Sequence, residues 1–191
     1  MKAWYFSDES RRLRYGDGRE IAVGVTHTVD CVPVLCKFGL HASVRAIDAL
    51  EYAPGPIIWI VELGGIVVEG DDKCVATERT YTAGGVDATE TLRAFARACA
   101  LDVVHLWDAP QVVKDYLVTG DESLRASAWA AASWASARDA AMASARASAW
   151  AAASWAAARD AARGAARGAA RDAQNARLES MLEKLISEND A

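Results

Sequence analysis

Ser127–Ala141 reads SAWAAASWASARDAA and Ser148–Ala162 reads SAWAAASWAAARDAA, a repeat with a period of 21 residues, or three heptads. Of the fifteen paired positions only Ser136 and Ala157 differ. Ala is the strongest helix former, and a repeat of whole heptads keeps one helix face in register. With Trp129 set at heptad position zero, Trp134, Trp150 and Trp155 fall at five, zero and five. Every charge from Arg125 to Arg167 falls at two, three or six, on the opposite arc. The tail, 120–191, is therefore predicted to be a long Ala-rich amphipathic helix with a Trp-edged Ala/Ser stripe. Leu178, Leu182 and Leu185 resume that stripe. A bend is expected near Gly164–Gly168, because an interior Gly costs about 1 kcal/mol against Ala.

The stripe needs cover. Each Trp can bury roughly 150–250 Å², and an unbroken rod of this length cannot bury one whole side against a small domain. The expected partner is a second copy of the chain or another protein, reached through Trp129, Trp134, Trp150, Trp155, Leu178, Leu182 and Leu185. A fold-back onto the chain itself and a lipid surface are the alternatives. No membrane span is expected, since the longest uncharged stretches of the repeat have twelve residues and a span needs about 20.

Ahead of the tail, composition changes. Lys2–Phe6, Glu20–Val25, Val32–Leu35, Ile57–Glu62, Ile66–Val68 and Cys74–Tyr81 read as strands. IIWIVE (57–62) is the strongest, a near-continuous apolar run suited to a central position. Ser43–Tyr52 reads as a helix with Ser43 as its cap, stopped by Pro54-Gly55-Pro56. Asp87 opens an amphipathic helix to about Trp107, Pro110 starts a short one, and Asp121 is placed to cap the tail helix. The fold class is thus α+β: a small mixed-sheet head (1–86), a helical connector (87–119) and the tail (120–191). On this division a chain ending at Gly120 keeps a folded head.

A chain of 191 residues with formal charge −5 is no general nucleic-acid binder. Met1-Lys2-Ala3-Trp4 enters a strand directly, without a secretory leader pattern. Its four cysteines have no framework spacing, so reduced thiols and a cytoplasmic location are expected.

Three stretches carry a resemblance: LCKFGLHAS (Leu35–Ser43) with YAPG (Tyr52–Gly55), ALDVVHLWDAP (Ala100–Pro110) and YLVTGDESLRASAW (Tyr116–Trp129). Together they resemble a family of uncharacterised phage and bacterial proteins whose Ala/Arg/Asp/Trp-rich tails are often labelled immunity proteins. The stripe points to a non-enzymatic binding or oligomerisation protein; the resemblance adds a role in phage–host conflict, immunity or inhibition of a defence system, in the host cytoplasm if phage-encoded. It brings no catalytic residue or cofactor, and none is expected. The present tail departs from the family by the near-identity of its two repeats.

The polar residues nearest to a site are Cys36, His41 and Ser43 around Gly39. A competing reading is a nucleotide-transferring enzyme of ADP-ribosyltransferase-like type, with His41 holding a ribose and Glu62 or Glu78 polarising the sugar. That reading requires a concave site at His41, whereas a binding module hides His41 in its turn. Cys31, Cys36 and His41, with Cys74, also invite a zinc reading. Their five-residue separations lack the short paired spacing of structural zinc sites, so no metal is expected.

Overall fold

The structure is a computed structural model that describes the backbone of residues 1–133 and 156–189 and the side chains of 1–133 and 168–189. Five strands, β1 (Lys2–Ser7), β2 (Thr26–Thr28), β3 (Leu40–Ala42), β4 (Ile57–Glu69) and β5 (Cys74–Asp87), form one sheet. Helices are α1 (Ala46–Glu51), α2 (Thr89–Val103), α3 (Gln111–Thr119), α4 (125–133) and α5 (Ala156–Asn189). The class is α+β, and the sheet is wholly antiparallel rather than mixed.

β4 pairs with β1 on one side and β5 on the other. β2 and β3 lie one after the other along the far edge of β5. Ser43, just past β3, then bridges Trp4 of β1, with Trp4 N–H donating to Ser43 C=O at 2.7 Å. The strand path β1–β4–β5–β3 therefore closes on itself, which leaves β1 no long open edge. Ser43 is spent on this closure, 2% exposed, and does not cap α1.

IIWIVE does form the central strand, and it continues. Gly64-Gly65 does not end it, because Gly65 adopts φ +65 in a bulge that shifts the β4–β5 register between Gly64 and Val67. The Ile66 N–H there donates to Thr77 Oγ1 at 2.9 Å. The predicted strands Ile57–Glu62 and Ile66–Val68 are thus one. Glu20–Val25 and Val32–Leu35 are not strands; the β2 pairing falls just later, at Thr26–Thr28.

Alternation along β1 and β4 divides the sheet into two buried faces. Ala3, Trp59, Val61 and Leu63 join Leu40, Ala42, Cys74, Ala76 and Tyr81 in the main core, with Tyr5 packed against it. Trp59 is anchored by donating Nε1–H to Ser7 Oγ at 2.9 Å and meets the Tyr81 ring edge-on. Trp4, Phe6 and Ile58 alternate with these residues and are also buried.

The chain divides into two compact units, and the boundary differs from that expected. The first is Met1–Leu92 together with Ala173–Ala191, and the second is Arg93–Asp172. The last stretch of α5 is therefore part of the head. Its Leu178 and Leu182 are fully buried and Ile186 is 3% exposed; Leu185 is only half-buried. The buried row runs 175, 178, 182, 186: the first three keep heptad positions four, zero and four, and the last drifts by one because a true α-helix turns every 3.6 residues.

Asn175 on that row and Glu179 beside it complete the start of α1. Ala46 N–H donates to Glu179 Oε1 at 3.2 Å and Ile47 N–H to Asn175 Oδ1 at 3.1 Å. These are the open donors of a helix start, and Arg45 at the N-cap supplies no side-chain cap of its own. Lys2 Nζ adds an exposed ion pair with Glu183 at 3.1 Å, a contact of small energetic worth. The lysine belongs by alternation to the Trp4/Phe6 side of β1, so Glu183 of α5 lies on that side at the start of the strand. Leu178 and Leu182, expected on a surface for a partner, are core residues of the head. The helix also runs through Gly164 and Gly168 without a break in its helical residues.

In the second unit Phe95, Ala109, Val113 and Ala128 are buried. Gly120 ends α3 in the left-handed region, its N–H bonded to Tyr116 C=O at 2.8 Å. Asp121, expected to cap the tail helix itself, instead caps the short 3-10 turn Glu122–Leu124 ahead of α4, accepting from Ser123 N–H at 2.9 Å. Among the described residues no helix is long and apolar enough to cross a membrane.

Candidate functional site

The head carries a cleft of about 780 Å³, within the usual range of small-molecule sites. β1, β3, the loops before β2 and β3, and the end of α1 surround it. Four cations line it, Arg14, Lys37, Lys73 and Arg79, with one carboxylate, Asp17. Asp17 is already held by Arg19, through Nε at 2.7 Å and Nη2 at 2.8 Å. That hydrogen bonding keeps its carboxyl below the usual value. The cleft is cationic although the chain is acidic.

Arg79 is the deepest of these groups, 2% exposed. Its Nε and Nη2 donate to Tyr81 Oη at 3.0 and 2.7 Å, and its Nη1 donates to His41 C=O. The guanidinium lies 3.9 Å from the Tyr5 ring centroid. A guanidinium has five N–H donors, so two remain after these bonds. Among the described residues no carboxylate lies within ion-pair distance of it. Buried charges are normally paired; this one is held by neutral oxygens and a ring face.

Its supports are fixed in turn. Burial pushes the Tyr81 hydroxyl up to about 12, so it remains a phenol. It lies 3.3 Å from His27 Nδ1, while His27 Nε2 lies 3.0 Å from Glu20 C=O. A carbonyl only accepts, so Nε2 carries the His27 proton and Nδ1 accepts from Tyr81. Burial is also the main cause that holds His27 below its ordinary value.

His41 lines the same cleft, yet its imidazole is occupied. Nε2 accepts from Cys36 N–H at 3.1 Å, and the ring also hydrogen-bonds the Gly39 backbone. It braces a turn in which Cys36 has φ +63 and Gly39 φ +115. Burial first, then Lys73 and Arg79, depress its basicity. The cleft is concave at His41, and the ring is engaged in its own turn. Glu62 and Glu78 are exposed and do not line the cleft. Trp129 is 77% exposed, while Trp134, Trp150 and Trp155 lie outside the described residues. Among the described residues no three His, Cys, Asp or Glu side chains gather as a metal set.

The two histidines give a pH dependence. In the unfolded chain each titrates near the ordinary value of about 6.5; in the fold both are lowered. Stability is therefore full above about pH 6.5, where neither state is protonated. It falls as pH drops below that, because only the unfolded chain takes up protons, and levels off below the folded values. Asp17 titrates below this window. Urea midpoints measured from pH 7.5 to 5 are expected to fall, and the fall should shrink in the double variant His27→Gln/His41→Gln. An equal fall in both proteins contradicts this assignment.

Compared with family models, curated proteins and solved structures, the chain matches none of them.

Proposed function

We propose that the chain is a non-enzymatic binding protein whose head holds an anion in the Arg79 cleft. One observation carries this reading: a buried guanidinium with two N–H groups to spare and no carboxylate partner. An anion placed there completes the charge pairing that the fold omits, through two parallel hydrogen bonds of the kind guanidinium favours. Binding rather than transfer is supported by His41, whose ring is engaged in its turn, and by the position of Glu62 and Glu78 away from the cleft.

Titrating the intact chain with inorganic phosphate in a calorimeter is expected to give saturable heat that weakens with added salt. Arg79→Lys keeps the charge and loses the fork, and should weaken binding about tenfold or more. Lys37→Gln, at an exposed position, should weaken it less. Absence of heat with a folded wild-type chain contradicts the reading.

The exposed ring of Trp129 favours a second, compatible reading: association of two copies through the Trp-edged stripe. Changing Trp129, Trp134, Trp150 and Trp155 together to Ala is expected to lower the light-scattering mass to that of one chain, with helix content nearly unchanged. A retained oligomer rules the stripe out as the interface.

A further inference from the structure

The cleft is too large for a bare oxyanion, and its lining is not merely basic. Cations and rings are interleaved. Arg14 lies 5.2 Å from the Tyr15 ring centroid, Lys73 3.7 Å from that of Tyr52, and Arg79 3.9 Å from that of Tyr5. Two further features concern the rim. Tyr15 is 95% exposed and Phe38 63% exposed, so both rings present apolar faces to water at the rim of a cleft whose buried cation is Arg79. Tyr15 and Cys36, both lining the cleft, hold left-handed backbone angles of +60 and +63. Such conformations are unfavourable for non-glycine residues and concentrate where a ligand is clamped.

We infer that the ligand is a phosphate monoester carrying a flat heteroaromatic ring, a nucleoside monophosphate. This rests on the anion reading of the same cleft. The phosphate takes the two remaining N–H groups of Arg79, and Lys73, whose ammonium already hydrogen-bonds Tyr52 and Cys36, adds only through-space charge. The ring stacks on the rim aromatics, a contact that accepts any flat π-face and adds to affinity without a hydrogen-bond code. Neither half of the ligand satisfies the cleft alone: phosphate leaves the rim rings in water, and a neutral nucleoside leaves Arg79 without an anion.

The test is a set of calorimetric titrations of the full chain with adenosine 5′-monophosphate, ribose 5-phosphate, adenosine and inorganic phosphate. Adenosine monophosphate is expected to bind about tenfold or more tighter than ribose 5-phosphate, the range for one stacked base. Adenosine should bind more weakly than adenosine monophosphate by a similar factor. Phe38→Ser, at an exposed position, should reduce the advantage of the base and leave ribose 5-phosphate unchanged. Equal affinity for adenosine monophosphate and ribose 5-phosphate overturns this inference while leaving the anion reading intact. Binding of adenosine as tight as its monophosphate, or no binding of any phosphate, overturns both.

Discussion

A chain ending at Gly120 is expected to lose its folded head, although every strand among the described residues lies ahead of that point. The truncation removes Leu178, Leu182 and Ile186, which are 0%, 0% and 3% exposed. Full burial of such a side chain stabilises by about 1.5–3 kcal/mol. It also uncaps α1 by removing Asn175 and Glu179, and a lost helix cap costs about 0.5–2 kcal/mol. Together these losses rival the whole stability of a small domain, about 5–15 kcal/mol. Urea unfolding followed by tryptophan fluorescence is expected to show a cooperative transition for the intact chain and none, or one near zero urea, for the truncation. In the full chain Leu182→Ala should cost about 2–5 kcal/mol. An unchanged midpoint in both variants removes α5 from the head.

The second large effect is expected at Trp59. Its ring is 2% exposed and lies 5.4 Å from the Tyr81 centroid. Trp59→Ala should cost about 3–5 kcal/mol through the cavity it leaves. The damage should also reach the cleft, because Tyr81 Oη accepts two of the Arg79 hydrogen bonds. Anion affinity is therefore expected to fall with stability. Trp59→Phe keeps a ring against Tyr81 but leaves Ser7 Oγ without its donor, and should retain binding with a smaller loss of stability. A Trp59→Ala chain as stable as the parent contradicts the assignment of this ring to the core.

Local pattern made some of this legible and left other parts hidden. IIWIVE marks β4 because a strand covered on both faces needs apolar residues at successive positions. The glycine pair that reads as its end is a bulge within it, since a bulge and a turn ask the same freedom of glycine. The periodicity of the tail placed Leu178 and Leu182 on one buried row, but periodicity says which residues need cover and not what covers them. The cap of α1 comes from residues more than 120 positions away, so no sequence window around Ser43 contains it.

Arg79 escapes for a different reason. Strict alternation starting from the buried Cys74 and Ala76 turns Glu78 inward and Arg79 outward. The buried positions instead run through 74–76 and resume at Arg79 and Tyr81, opposite the Gly64–Gly65 bulge, where the β4–β5 register shifts. The same irregularity removes Glu78 from the cleft and brings a cation into it. The one local signal is the spacing of Arg79 and Tyr81, two residues apart on a strand and so on one face.

The most direct test is a two-dimensional ¹H–¹⁵N spectrum of the intact chain recorded while inorganic phosphate is added, following the Arg79 Nε–H resonance. A saturable shift of that signal, together with the Cys36 and His41 amides and with no change at α3, is the expected result. A static Arg79 signal while exposed lysine and arginine signals drift without saturation would mean that phosphate meets only the surface, and the anion site would be wrong.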